Sequence, residues 1–306
     1  MGNTAHPGQS SVDYFQQETK CWWAICSHYK LRKLRKGINP KQLKWITRNL
    51  QFAVLDASTY VGFWILKGLL SRVAGETEIV KKIREMKKVE ERLLVFTVDV
   101  LDYHSIIVAL KGCCALFCCL DDSDGYGYDD DTTVDLEVRG AINVVEACAQ
   151  THGMQKIVFN SSLTAAVWRE NICSEEEVTR DLGLWYALAK TLTEQAAWAL
   201  AMDRMLNMVS INAEAAQMYE NGVLAFVDVN FLAEVHIRAF ENQSTCGRYF
   251  CFNKIVNTEE EAVKLVRSLS PLISLPPKYE CQGNEVQSER LRNKKLNKLV
   301  EGTAYE

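Results

Sequence analysis

From residue 52 onward, short unbroken apolar runs alternate with stretches of helical periodicity, and this rhythm constrains the fold more than any other feature of the chain. Strand-like runs fall at 52–55, 93–98, 114–120, 156–160 and 206–211, with helical patterns at 61–72, 76–91, 103–110, 132–150 and 184–202. Strands that alternate with helices are expected to lie parallel, joined by crossovers that cover both faces of the sheet. "LLVFTV", "ALFCCL" and "KIVF" have no polar break, as strands buried on both faces require. The expected class is α/β, a doubly wound parallel sheet. After residue 212 come a helix at 213–220, a strand at 224–229, a helix at 230–241, an apparent strand in "GRYFCF" and helices at 258–269 and 287–300. We therefore expect three parts: an N-terminal arm over 1–51, a main α/β domain over 52–212 and a smaller α+β region over 213–306.

One beat of the alternation is missing. After Arg72 the sequence runs directly into a charged helical pattern with Ile79, Ile83 and Met86 at helical spacing, where a strand should intervene. In dinucleotide-binding sheets that second strand carries the side chain that reads the ribose 2′-hydroxyl or 2′-phosphate. Nothing obvious replaces it.

The arm is the other irregular part. Residues 1–19 are polar and read as a mobile tail. Between Thr19 and Asp56 there is no acidic residue, while Lys20, Lys30, Arg32, Lys33, Arg35, Lys36, Lys41, Lys44 and Arg48 accumulate beside Trp22, Trp23, Tyr29 and Trp45. Charge runs are usually solvated faces, so the first expectation is a basic helix docked through its Trp and Leu residues. The alternative is contact with an anionic surface through 20–48. Over the whole chain 35 Lys and Arg face 39 Asp and Glu, and a net charge of -4 gives no global pull towards nucleic acid or membrane.

The 11 cysteines, with no signal-peptide pattern in "MGNTAHPGQSS", point to a reducing cytoplasm. No apolar run approaches the roughly 18–20 residues that span a bilayer. Cys113, Cys114, Cys118 and Cys119 sit in or beside an apolar run without metal-ligand spacing, and the five histidines are scattered, so no metal site is expected.

Two stretches carry candidate chemistry. "AVLDASTYVGFWILKGLL", residues 53–70, reads as a strand, a tight polar turn and an amphipathic helix, the layout that cradles a dinucleotide pyrophosphate. Its turn, Asp56, Ser58, Thr59, Tyr60, Val61 and Gly62, holds the candidate phosphate contacts, and the helix start offers amides near Thr59 and Tyr60. In the second stretch a strand ends in "NSSL" and "YALAK" follows on a helix, so Tyr186 and Lys190 share one helical face. A phenol titrates near pH 10 and becomes a useful proton donor at neutral pH when an adjacent ammonium stabilises the phenolate. A serine at the strand end, Ser162 by preference, is then placed to hydrogen-bond a substrate carbonyl.

"VLDASTYVGFW", "VFTVDVLD", "VRGAINVVEAC", "KIVFNSS", "WYALAKTLTEQAAW", "FVDVNFLAEVHIRAFE" and "GRYFCFN" together resemble the cinnamoyl-CoA reductase-like and dihydroflavonol reductase-like members of the extended short-chain dehydrogenase/reductases. The resemblance runs over about residues 52–301, in the family's order. It implies a Rossmann-like NAD(P)-binding domain, a smaller substrate domain, NADPH as hydride carrier and reduction of a phenylpropanoid-type thioester, aldehyde or ketone. Ser162, Tyr186 and Lys190 match its catalytic triad, Tyr186 and Lys190 also lie by the coenzyme, and Asp99 with Val100 match the residues near the adenine.

The departures are specific. Against the family's three-glycine turn this chain has Asp56, Thr59 and Gly62, and each replacement is expected to cost about 1–3 kcal/mol of coenzyme binding. The loop between Glu177 and Leu184 is short, and "SINAEAAQMY" lacks the Gly-Pro loop that the family places over the nicotinamide. The competing expectation is a degenerate interaction module that keeps the fold without the coenzyme.

Overall fold

The structure is a computed structural model that describes residues 20–29, 50–57, 59–74, 93–120, 131–163, 165, 182–213, 224–256 and 293–301. In chain order its elements are β1 (Lys20–Tyr29), β2 (Leu50–Leu55), α1 (Tyr60–Ala74), β3 (Leu93–Asp99), α2 (Tyr103–Ala109), β4 (Ala115–Cys118) and α3 (Asp131–Gln150). They continue with β5 (Lys156–Ser162), α4 (Leu182–Asp203), β6 (Met208–Ala213), β7 (Leu224–Phe226), α5 (Val229–Glu241), β8 (Gly247–Phe250), β9 (Lys254–Val256) and α6 (Lys294–Glu301). The expected helices at 76–91 and 258–269, most of the expected 213–220 helix and residues 177–181 of the short loop after Glu177 lie outside the described residues.

Seven strands form one sheet in the order β3-β1-β2-β4-β5-β6-β8. The neighbours β2, β4, β5, β6 and β8 pair in parallel, as unbroken apolar strands joined by helices predict. Side chains alternate across β2, and two cores follow from that. Phe52 and Val54 join Ile65 and Leu69 of α1, Leu232 and Val235 of α5 and Leu296 of α6 on one face. Ala53 and Leu55 join Ile106 of α2, Val144 of α3 and Ala197 of α4 on the other. Helices on both faces make the sheet doubly wound and give the Rossmann-like α/β fold.

β1 corrects the docked-helix expectation. Lys20–Tyr29 is a strand, hydrogen-bonded antiparallel to β2 on one side and to β3 on the other. Its sequence, KCWWAICSHY, holds one basic residue and is rich in aromatic and β-branched side chains that favour strands. After Lys20, the bases that suggested a solvated helix run from Lys30 onward, outside the described residues, so an anionic-surface role for them rests on charge alone. Without β1, the slot between β2 and β3 would leave two rows of backbone donors and acceptors unpaired.

At the other end, β8 pairs in parallel with β6 and closes the sheet, while β7 and β9 form a separate antiparallel pair. The carbonyl end of α5 is capped by the buried Lys156, whose ammonium donates to Ala239 O at 3.1 Å, Asn242 O at 2.9 Å and Thr245 Oγ1 at 2.8 Å. Burial pulls its pKa down to about 8.

Candidate active site

The carboxyl ends of the parallel strands form one edge of the sheet, where open α/β folds place their ligands. At the β2 end, Asp56 turns the chain with φ 55°, a left-handed conformation that glycine adopts freely and Asp tolerates better than most. The backbone path expected of a glycine is therefore kept although the residue has changed. Gly62 has a direct reason to stay: a Cβ there would lie 2.2 Å from the Asp56 carbonyl oxygen and 2.9 Å from Thr59 Oγ1.

Thr59 is buried and acts as the N-cap of α1. Its hydroxyl donates to Asp56 O at 2.9 Å and accepts from the Gly62 amide at 3.1 Å, and its own amide donates to Asp56 O at 3.2 Å. This narrows the expected anion site, because the amides of Thr59 and Gly62 are used inside the turn. Tyr60 and Val61, in the first helical turn, have no intrahelical acceptor by helix geometry. Tyr60 is 68% exposed, so it opens onto solvent at that point. Ser58 lies outside the described residues.

At the β3 end, the Asp99 carboxylate accepts from the Leu101 amide at 2.8 Å. Asn143 of α3 donates to the Val100 carbonyl at 3.0 Å, and Val100 itself is buried against Gly140. Asp99 and Val100 thus form a braced turn at the edge.

The β5–α4 corner holds the catalytic candidates. Ser162 is buried at the end of β5, and its carbonyl accepts from Asn212 of β6 at 3.0 Å. Tyr186 is half-buried on α4, and one turn later the Lys190 ammonium lies 5.3 Å from the centre of the Tyr186 ring. Lys190 donates to the Leu120 carbonyl beyond β4 at 3.0 Å, which fixes it at the carboxyl edge. It also pairs with Glu137 of α3 at 3.2 Å, both side chains being nearly buried. The structure thus brings Lys190 to Tyr186, but it gives the ammonium a carboxylate partner that spacing did not foresee. A counter-charge at that distance weakens the pull of Lys190 on the phenolate.

A second buried carboxylate fastens the corner. Glu194, fully buried and one turn beyond Lys190, accepts from Ser161 Oγ at 2.6 Å and from Asn212 Nδ2 at 2.7 Å, and it pairs with Arg248 of β8. One side chain therefore ties α4 to β5, β6 and β8. Its signal was in the sequence, since Tyr186, Lys190 and Glu194 recur at intervals of four along one face. Glu137 gave none, because it comes from a distant helix.

Burial raises the thiols of Cys113 and Cys251 to about 12 and that of Cys114 to about 11, so these cysteines stay protonated core residues. Among the described residues no group of three or more His, Cys, Asp or Glu gathers as for a metal ion, and no helix is long and apolar enough to cross a membrane.

Residues 53–212, just over half the chain, match the 3-beta hydroxysteroid dehydrogenase/isomerase family. The chain belongs to that family. This member of the 3-beta hydroxysteroid dehydrogenase/isomerase family is 26% identical over 272 residues to cinnamoyl-CoA reductase CAD2 of Medicago truncatula, covering 74% of the chain and 82% of the relative. It is 24% identical over 294 residues to a bifunctional dihydroflavonol 4-reductase/flavanone 4-reductase of Malus domestica, covering 80% and 84%. The yeast methylglyoxal/isovaleraldehyde reductase Gre2, solved with NADPH, superposes with a TM-score of 0.58 at 16% identity, covering 83% of this chain and 93% of Gre2. Vestitone reductase from alfalfa gives a TM-score of 0.53 at 20% identity, covering 72% and 81%. These superpositions share the fold, and the relatives by sequence and structure are NAD(P)-dependent oxidoreductases.

The residues at the edge fit a dinucleotide in their backbone. The turn keeps its left-handed residue at Asp56 and its crowded glycine at Gly62, and a helix begins at Tyr60. The Asp56 carboxylate is the one group of the turn that opposes a phosphate.

Proposed function

We propose that the chain is an NAD(P)-dependent reductase of a small carbonyl or thioester substrate of the aromatic, phenylpropanoid type. The pairing of Lys190 with the Tyr186 ring at the carboxyl edge carries this reading. The names of the relatives, reductases of cinnamoyl-CoA and of a dihydroflavonol, support the substrate class.

In this reading the amides of Tyr60 and Val61 hold the pyrophosphate, and Asp99 with Val100 border the adenosine. When bound, the reduced coenzyme would supply the hydride that the substrate's carbonyl carbon takes up. Ser162 holds the carbonyl oxygen by a hydrogen bond, and Tyr186 gives that oxygen its phenolic proton, leaving an alcohol from an aldehyde or ketone and, from a thioester, a hemithioacetal whose C–S bond then breaks to release the thiol and leave an aldehyde. Lys190 stabilises the phenolate left behind and holds the nicotinamide ribose, with Glu137 setting how much of its charge Tyr186 feels. The substrate side is assigned to the part after residue 212. The seven cysteines whose side chains the structure describes are free, six of them buried, which supports a reducing compartment, the cytoplasm.

The test is a thermal titration with NADPH and with NADH. A ligand at about 100 times its dissociation constant stabilises by about 2.7 kcal/mol. A raised midpoint with either coenzyme is expected, and no shift with both at millimolar concentration would transfer the case to an interaction module without coenzyme.

A further inference from the structure

We infer that Asn212 is a positioning residue for Ser162: its amide fixes the peptide that follows the serine, and so the place from which the serine hydroxyl meets a substrate carbonyl. This rests on the reductase reading above and deepens it. The peptide that joins Ser162 to Leu163 is held at both of its polar atoms, and both partners come from β6. The Leu163 amide donates to Ala213 O at 2.9 Å, and the Ser162 carbonyl accepts from Asn212 Nδ2 at 3.0 Å. The first bond prolongs the ladder that pairs β5 with β6 as far as Ser162 and Ala213. The second comes from a side chain, at the last residue of β5, where a strand end is otherwise prone to fray. With that peptide fixed, the serine oxygen is placed by one remaining side-chain torsion.

Asn212 is itself held in one orientation. It is fully buried, and its Nδ2 donates a second time, to Glu194 Oε2 at 2.7 Å. A carbonyl and a carboxylate only accept, so the amide must turn both of its N–H groups towards them. Its Oδ1 is left buried with no hydrogen-bond partner among the described residues. An unmet buried acceptor costs free energy, and asparagine is a poor strand former. A residue that only filled space in β6 would not carry both costs.

Glu194 makes the support rigid. The same carboxylate accepts from Ser161 Oγ at 2.6 Å and pairs with Arg248 of β8. One buried charge on α4 therefore anchors Ser161 directly and Ser162 through Asn212. A misplacement of about 1 Å at a reacting group can cost about 10²-fold in rate, so the second anchor bears on chemistry and not on stability alone.

A double-mutant cycle between Asn212 and Ser162 tests this on the full chain, with NADPH and a cinnamoyl thioester. Asn212→Leu, close in volume and without donors, should lower kcat about ten- to a hundredfold, while KM and the NADPH dissociation constant move less than about threefold. Ser162→Ala should cost at least as much. In that background Asn212→Leu should cost less than about threefold, since a hydroxyl that is absent cannot be misplaced. Losses that multiply across the two positions, or a loss carried by KM and coenzyme binding, overturn the role of Asn212 while the reductase reading stands. Amide exchange in the wild type reads the same support without turnover, and it serves if Asn212→Leu does not fold. The Leu163 amide should exchange as slowly as the buried β5 amides before it, and exchange at least about tenfold faster, through local opening, overturns the positioning. A wild type that binds neither NADPH nor NADH overturns both readings.

Discussion

At the β2–α1 turn two of three expected glycines are gone, yet the backbone keeps its path, while at the β5–α4 corner the expected side chains are present and Lys190 carries an unexpected partner. Asp56 holds a left-handed φ, and Thr59 folds its hydroxyl into the helix cap. Lys190 is tied to Glu137, and the helix that bears it is tied by Glu194 to three strands. The turn works through backbone amides, and a backbone can hold its shape through a change of side chain. The corner works through side chains, and its chemistry depends on what each one touches. The two regions should therefore fail differently when changed.

The largest effect should come from Tyr186→Phe. If the corner is catalytic, removal of the proton donor costs about 10²–10⁴-fold in turnover, while the coenzyme-induced rise in melting midpoint stays within the wild-type range. Loss of both together would mean that the corner and the turn are not separate. Steady-state kinetics with a cinnamoyl thioester, beside the thermal titration, reads the two quantities apart.

Next is Glu194→Ala. It leaves Arg248, Asn212 and Ser161 without their shared acceptor, and breaking a buried pair in this way typically costs about 3–5 kcal/mol. Urea unfolding should show the loss as a lower midpoint at unchanged slope. A cost under about 1 kcal/mol would show that the corner is held by its apolar contacts instead.

Acid should weaken the layer beneath the turn. His236 of α5 is fully buried in the helix layer that packs on α1, its Nε2 has no hydrogen-bond partner among the described residues, and burial pushes the imidazole down to about 4. An unfolded histidine titrates near 6.5. The unfolded chain therefore takes up a proton between about pH 6.5 and pH 4 that the folded chain refuses, so stability falls as pH drops through that window, by about 3 kcal/mol from this residue. Unfolding curves at pH 7 and pH 4.5 should differ accordingly, and His236→Gln should flatten the difference.

Much of this was legible in the sequence, for a physical reason. Strands buried on both faces must be apolar throughout, so β4, β5 and β6 announced themselves, as did the 3.6-residue rhythm of α3 and α4. Tyr186 and Lys190 were legible because a helix turns spacing into proximity. β1 was not, because its partners β2 and β3 are distant in sequence and the charges after Tyr29 drew the whole stretch into one reading. The apolar run CWWAIC carried the better signal. Glu137 was hidden for the same reason as β1: a pair between two helices 53 positions apart leaves no local pattern.

Returning to the turn, Gly62→Ala should cost about 1–3 kcal/mol, the usual range for forced overpacking, because the atom it meets at 2.2 Å is backbone and cannot swing aside. Coenzyme affinity should fall with it. Tolerance of alanine here, by melting midpoint and titration, would mean that the turn's path is softer than the corner's.

The smallest change runs the other way. Asp56→Gly restores a residue that adopts φ 55° without strain, though a freer unfolded chain offsets part of the gain, so net stability should move by no more than about 1 kcal/mol. Binding separates the two contributions of Asp56, because only its carboxylate acts on a phosphate. Asp56→Asn keeps the tolerance for a left-handed φ and removes the charge. If both variants tighten coenzyme binding equally, repulsion was the cost and the backbone was already in place. If only the glycine variant does so, the turn's path is strained, and the backbone of this region is less independent of its side chains than the contrast with the corner requires.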